Sequence, residues 1–381
     1  MALGDIGTVI DTGVFDAVRG MQASPIHISG DVYAVAYRGV DNDGWVSTVS
    51  IDSDGVVGAV IDTLEFEAFE CTLPCLINVT GDIYAVAYAQ TVNDDGIVCT
   101  FTIDENGNIG AAIIDALVFD AVRGRCPSIV HVTGDIYAIA YRGPADDGWL
   151  CTIDIDNAGN IGAATIDTWE FDALDCDNPV IINIAADVFA IAYTGGASSG
   201  LIQTFTINAV GTIGALINQI IFDATVAEEI QFSRVTGTIY CMIYSSNTAG
   251  VLEGCIATIS ISNAGIMPLA ILDYYEWDAA RGVRPSFVLN NSLCAIAYQG
   301  GTGEGWICTL EIDAAGNIGV VIDTMEFDNT AFSTDYPYIL RIDDDTFAVF
   351  YQVPAVGTIR TFTIESYHAP YIQTDAATEI T

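Results

Sequence analysis

The chain has 381 residues, with fifty acidic side chains against ten basic ones and a formal charge of −40. That balance excludes a phosphate-backbone partner, which needs clustered Lys or Arg to displace counterions, so no nucleic acid is expected. Charged residues make up only 16% and hydrophobic ones 51%, which excludes disorder and fits strands buried on both faces. No apolar run approaches the roughly 20 residues of a membrane span, and "MALGDIG" lacks the basic and apolar regions of a signal peptide.

In chain order the first element is a strand with the pattern I-D-x-x-x-F-D starting at Ile10. A four-strand unit follows and recurs. In its third copy it reads "PSIVHV", "DIYAIAYRG", "GWLCTIDID" and, after a "NAGNIG" turn, "AATIDTWEFD". β-Branched and aromatic residues fill the strands, while Gly, Asn and Asp punctuate them. The Tyr that closes the second strand falls at Tyr37, Tyr88, Tyr141, Tyr193, Tyr244, Tyr298 and Tyr351, spaced 51 to 54 residues apart. A steady period of that length identifies a repeat architecture.

The outer-strand pattern returns, with local substitutions, at Ile61, Ile114, Ile166, Ile217, Leu272 and Ile322. One copy therefore precedes the first unit and none follows the last. The N-terminal segment must supply the outer strand of unit seven. This period, strand count and closure resemble seven-bladed β-propellers of four-stranded blades, over about residues 4–366. The resemblance implies an all-β disc in residues 1–366, with 367–381 as a tail or linker stub to a longer multidomain chain. WD, kelch and Asp-box patterns are absent, so function has to be argued from sites.

One constellation returns in blades one, three and six: Arg19, Arg38, Asp43 and Trp45; Arg123, Arg142, Asp147 and Trp149; Arg281, Gln299, Glu304 and Trp306. Alternating strand direction puts both contributing connections on one face of the disc. An indole face with a guanidinium and a carboxylate suits a sugar, and carbohydrate-binding propeller lectins are similar in repeating Trp and Arg, although no lectin motif is present. The expectation is a noncatalytic, surface-displayed recognition module, extracellular or cell-surface, for a glycan or surface protein. Two alternatives stay open: a rigid interaction or structural platform in which Arg clasps Trp, and a polysaccharide-acting enzyme, for which no catalytic residue stands out.

Smaller signals complete the picture. His27, Asn78, His131, Asn183, Arg234, Leu289 and Arg341 share one position on the inner strand, and suggest either a hydrated channel or satisfaction of nearby backbone. Asp52, Asp54 and Asp104 lie in hairpin turns that lack a full calcium-loop spacing, so no cofactor is expected and calcium is kept as an option. Cys99, Cys151, Cys241, Cys294 and Cys308 read as core fillers, whereas Cys71, Cys75, Cys126 and Cys176 lie in connections where a disulfide is conceivable.

Overall fold

The computed structural model describes residues 2–248, 251–330 and 335–366. Seven antiparallel four-stranded sheets form a propeller ring, with three short 3-10 turns as the helical content. Blade one runs through Met21–Ser29, Val32–Arg38, Gly44–Ile51 and Val57–Glu67, from the axis outward. Blade seven is completed by Ile6–Asp16, which pairs outside Val356–Ile364, as the terminal pattern required. The tail expected over 367–381 lies outside the described residues.

The repeated "YAVAY" explains how blades pack. Successive side chains of a strand point to opposite faces, so Tyr33, Val35 and Tyr37 face blade seven while Ala34 and Ala36 face blade two. Large residues on one face meet small ones on the next, and the core is divided into seven clusters, one at each seam between blades. A second strand buried on both faces cannot alternate polar and apolar residues. Hence its unbroken apolar run.

Polar bolts cross the same seams. Thr48, Thr100, Thr152, Thr204, Thr258, Thr309 and Thr361 each donate a hydroxyl to a glycine carbonyl of an adjacent blade, at 2.6 to 2.7 Å. The first Asp of the outer-strand pattern accepts a backbone N–H of the next blade in six seams, from Asp11 to Val57 through Asp323 to Ile6.

The inner strands ring the axis and pack on one another. Each carries a register break after its first residue or two. At every break one non-glycine residue is left-handed: Gln22, Leu73, Cys126, Asn178, Glu229, Arg284 and Tyr336, with φ between 45° and 55°. Five of them precede proline. A proline there lacks only a donor that the bulge leaves without a ladder partner, so the sequence tolerates it at this point; blade one instead carries Pro25 two positions further on, opposite Val35.

Candidate functional site

The seven left-handed residues surround the channel mouth on the face that carries the outer-to-inner connections. The cavity they line has a volume of about 410 Å³. Left-handed backbone costs about 1–3 kcal/mol per non-glycine residue and concentrates at functional sites. Its repetition around one cavity directs attention there.

Three of the seven rim seams are stitched by neutral bonds. Ser24, Ser128 and Ser286 accept the N–H groups of Leu76, Ile181 and Ile339 in the next inner strand, at 3.0 to 3.2 Å. Gln22 Oε1 accepts Leu73 N–H at 2.9 Å. Glu229 repeats the Gln22 bond in blade five, where its Oε2 accepts Arg284 N–H at 2.6 Å. Here, however, the acceptor ionises.

Ser245 Oγ donates to the same carboxylate at 3.2 Å, and Arg284 Nε lies 3.5 Å from its other oxygen. The Arg284 guanidinium also sits over the Tyr336 ring, 4.6 Å from its centroid. Burial pushes the Glu229 carboxyl above the usual carboxylate range, against the pull of the Arg284 N–H and guanidinium. The seam between blades five and six thus brings together an ionisable carboxyl, a guanidinium and an aromatic ring at the edge of a small cavity. A carboxyl so placed can accept or return a proton, and the guanidinium can meet a developing negative charge.

The Arg and Trp constellation lies further out on the same face, and its indoles are half-buried. Trp45, Trp149 and Trp306 join the seam clusters as half-buried members. Each rests on a glycine: a Cβ on Gly39, Gly143 or Gly300 would come within 2.2 to 2.5 Å of the indole Cδ1. The indole N–H groups of Trp45 and Trp149 are buried without a partner. Among the described residues the guanidinium-over-ring contacts are Arg234 on Tyr240 and Arg284 on Tyr336, so Arg does not clasp Trp.

The acids are also arranged differently from the expected trio. In blade three Arg123 Nη1 and Arg142 Nη2 meet Asp146 Oδ1 at 2.6 and 2.7 Å, rather than Asp147. Arg142 Nη1 also reaches Asp177 at 3.3 Å. In blade one burial and then the charge of Asp43 push the Glu65 carboxyl above the usual range, and Arg19 directs its guanidinium to Met21 Sδ at 3.0 and 3.1 Å. In blade six Arg281 donates to the Gly301 carbonyl at 3.2 Å, Glu304 accepts from Thr302 N–H at 2.9 Å, and Gln299 is buried.

At the opposite end of the inner strands the polar ring satisfies backbone. His27 and His131 donate Nε2–H to the carbonyls of Gly30 and Gly134 at 2.8 Å, and Asn78, Asn183, Arg234 and Arg341 donate to carbonyls of their own turns at 3.0 to 3.1 Å. The hairpin acids do likewise. Asp52 accepts Val56 N–H, and Asp104 accepts Asn106 N–H, Asn108 N–H and Asn108 Nδ2. Among the described residues no three His, Cys, Asp or Glu side chains are grouped to hold a metal. All ten cysteines are free thiols, Cys71, Cys75, Cys126 and Cys176 included.

No family model matches the sequence, and no curated protein matches it. Solved structures do. A 6-phosphogluconolactonase candidate from Bacteroides fragilis superposes with a TM-score of 0.60 at 15% identity, covering 80% of this chain and 84% of that one. A periplasmic gluconolactonase from Pseudomonas aeruginosa gives 0.57 at 12% identity, with 88% and 86% covered. A protein of unknown function from Dyadobacter fermentans gives 0.54 at 10%, with 94% and 99% covered. The expectation of a noncatalytic glycan-binding, lectin-like module is corrected by these neighbours, of which two carry lactonase names and none a lectin name. At these identities the likeness establishes a shared seven-bladed fold.

Proposed function

We propose that the chain is a hydrolase that acts in the channel mouth on a small sugar lactone or a comparable cyclic ester. The observation that carries this reading is the Glu229–Arg284 pair at the rim of the 410 Å³ cavity. The lactonase names of two structural neighbours supply the substrate class.

In this reading Glu229 takes a proton from a water as its oxygen adds to the lactone carbonyl. The carbonyl oxygen gains the negative charge, which the Arg284 guanidinium stabilises. Collapse of the tetrahedral species breaks the ring C–O bond, and protonated Glu229 returns its proton to the leaving oxygen. The product is an open-chain hydroxy acid. A carboxyl pushed upward by burial is better matched to both transfers than an ordinary one. Tyr336 keeps the guanidinium in place through its ring face.

The test is proton release from gluconolactone, corrected for spontaneous opening, in the wild type and in Glu229→Gln. Gln22 already makes the equivalent rim bond with an amide, so this variant can keep the bond to Arg284 N–H while it loses the proton acceptor and the negative charge beside the Arg284 guanidinium. Turnover that falls by about 10²- to 10⁴-fold supports the assignment. Wild-type turnover no faster than the spontaneous rate, or a fully active variant, overturns it. A location outside the cytoplasm belongs to the same proposal, supported by the periplasmic description of one neighbour, and fractionation of the native host tests it.

A further inference from the structure

Blades one and three hold the same pair of arginines on the same backbone, but only blade three neutralises them. Arg19 and Arg38 correspond to Arg123 and Arg142 in the repeat. The 3-10 turns that follow match closely: Asp41 and Ala145 have φ of 55° and 61°, while Asn42 and Asp146 both have φ of 72°. Asp146 in blade three is the acid on which both guanidiniums converge, and its blade-one counterpart is Asn42. The second acid, Asp177, is replaced by Thr72, whose hydroxyl turns to the Ala89 carbonyl.

Two carboxylates are therefore missing while both cations remain. Arg38 makes no side-chain hydrogen bond or ion pair among the described residues, and Arg19 falls back on a thioether. The turn's other acids do not substitute: Asp41 is exposed, and among the described residues no ion pair joins Asp41 or Asp43 to either arginine. Glu70, the counterpart of Asp175, is the one acid whose charge acts on Arg38 here. The consequence shows in opposite directions at equivalent residues. Burial and the neighbouring Arg19 hold Arg38 below the ordinary arginine range, whereas Asp177 and Asp146 outweigh burial and hold Arg142 above it.

Like charges brought together in a half-buried seam attract an anion with geometry set by their two planar forks. We propose that Arg19 and Arg38 form an oxyanion-binding site for a carboxylate or phosphate group of a small ligand, in the place that the Asp146 side chain fills in blade three. Met21, which pairs across the sheet with Arg38, directly precedes Gln22 on the channel rim. A ligand anchored there lies outward of the channel mouth on the same face. The site differs from a sugar platform, since the indole of Trp45 takes no part, and it does not depend on the hydrolytic reading.

The experiment is thermal unfolding of the full chain with inorganic phosphate or with acetate, at ionic strength held constant with chloride. The expected result is a concentration-dependent rise in melting temperature that disappears in Arg38→Gln and in Asn42→Asp. Asn42→Asp also melts higher than wild type without added anion, because it supplies the internal carboxylate. A larger shift with phosphate assigns a phosphoryl ligand, and a larger shift with acetate a carboxylate ligand. The proposal is overturned if neither anion shifts the transition, or if the shift survives unchanged in both variants.

Discussion

The phenol of Tyr37 donates to Asp16 Oδ2 at 2.9 Å, although Tyr37 belongs to blade one and Asp16 to the strand that completes blade seven. The same bond joins Tyr141 to Asp120, Tyr193 to Asp172, Tyr244 to Asp223 and Tyr351 to Asp328, at 2.8 to 3.1 Å, and Tyr88 uses Glu67. The last acid of each outer strand thus bolts it to the next blade. Its other oxygen caps the following turn, as Asp16 Oδ1 does for Val18 and Arg19.

A bond to an ionised acceptor in this setting contributes about 1.5–3 kcal/mol. Tyr141→Phe is expected to lose that amount in urea unfolding while the ring stays packed. Tyr37→Phe at the closing seam should cost at least as much as Tyr141→Phe at an internal one, since it also takes a 2.9 Å partner from the buried Ser47 hydroxyl. A markedly smaller loss at Tyr37 would mean that the closing seam is already open in solution.

The contact between Gly143 and Trp149 predicts a coupled pair. A Cβ at Gly143 would lie 2.2 Å from the indole Cδ1, so Gly143→Ala is expected to destabilise by about 1–3 kcal/mol through overpacking. Trp149→Ala costs about 2 kcal/mol for the lost half-buried ring. The double variant should cost less than the sum, because the alanine methyl then occupies vacated space. Strict additivity in a double-mutant cycle would show that the ring does not rest on this glycine.

Glu229 predicts a pH profile. Its carboxyl is raised in the fold, so the base is ionised only above an apparent pKa higher than that of an ordinary carboxylate. Then kcat/KM is expected to climb with pH through that value, and Glu229→Gln should remove the limb. The linkage sign for stability is the reverse: a raised folded pKa adds stability as pH falls through the window between the folded and unfolded values. A profile that is flat across the mildly acidic range would exclude Glu229 as the base.

The hairpin acids carry the opposite sign. Asp104, Asp156 and Asp313 are held below the usual range, chiefly by the side-chain amides of Asn108, Asn160 and Asn317. Their contribution is present above the unfolded pKa and is lost as pH falls through the depressed folded value. Replacing the three asparagines with alanine should lower the neutral plateau, leave stability below the depressed folded values nearly unchanged, and so flatten the acid limb between them. An unaltered acid limb would show that these turns do not report on folding.

Much of the ring is legible in the order of residues along the chain. Tyr37 to Tyr351 mark the period, and the stray outer strand at Ile10 marks the closure, because a four-stranded unit that lacks its outer strand leaves an edge to be filled. The cysteines at 99, 151, 241, 294 and 308 read correctly as core, each being buried. The acids at the two ends of I-D-x-x-x-F-D are visible as a pattern. The partners that join blades are not, since each of those belongs to the next blade.

The site is less legible for the same reason. Arg19, Trp45 and their counterparts stand out because they repeat, and for the tryptophans the repeat carries packing: each indole lies on its own blade's glycine. The channel-mouth residues have a signal too, a proline recurring near the start of the inner strand as in "TLPC", "RGRCP" and "CDNP". That signal marks the bulge and not the chemistry. Glu229 occupies the one blade among these neighbours where isoleucine stands in place of that proline.

The sequence alone determined the seven-fold repeat, the strand order within a blade and the strap that closes the ring, because these depend on local pattern and on chain order. Only the tertiary structure decided which charges meet. Asp146, not Asp147, gathers the blade-three arginines, Asn42 leaves the blade-one pair without a carboxylate, and Glu229 lies against Arg284 across a seam. Each of those outcomes turns on a few ångströms between segments distant in sequence or on the direction of one side chain in a turn, and neither spacing nor composition encodes that distance.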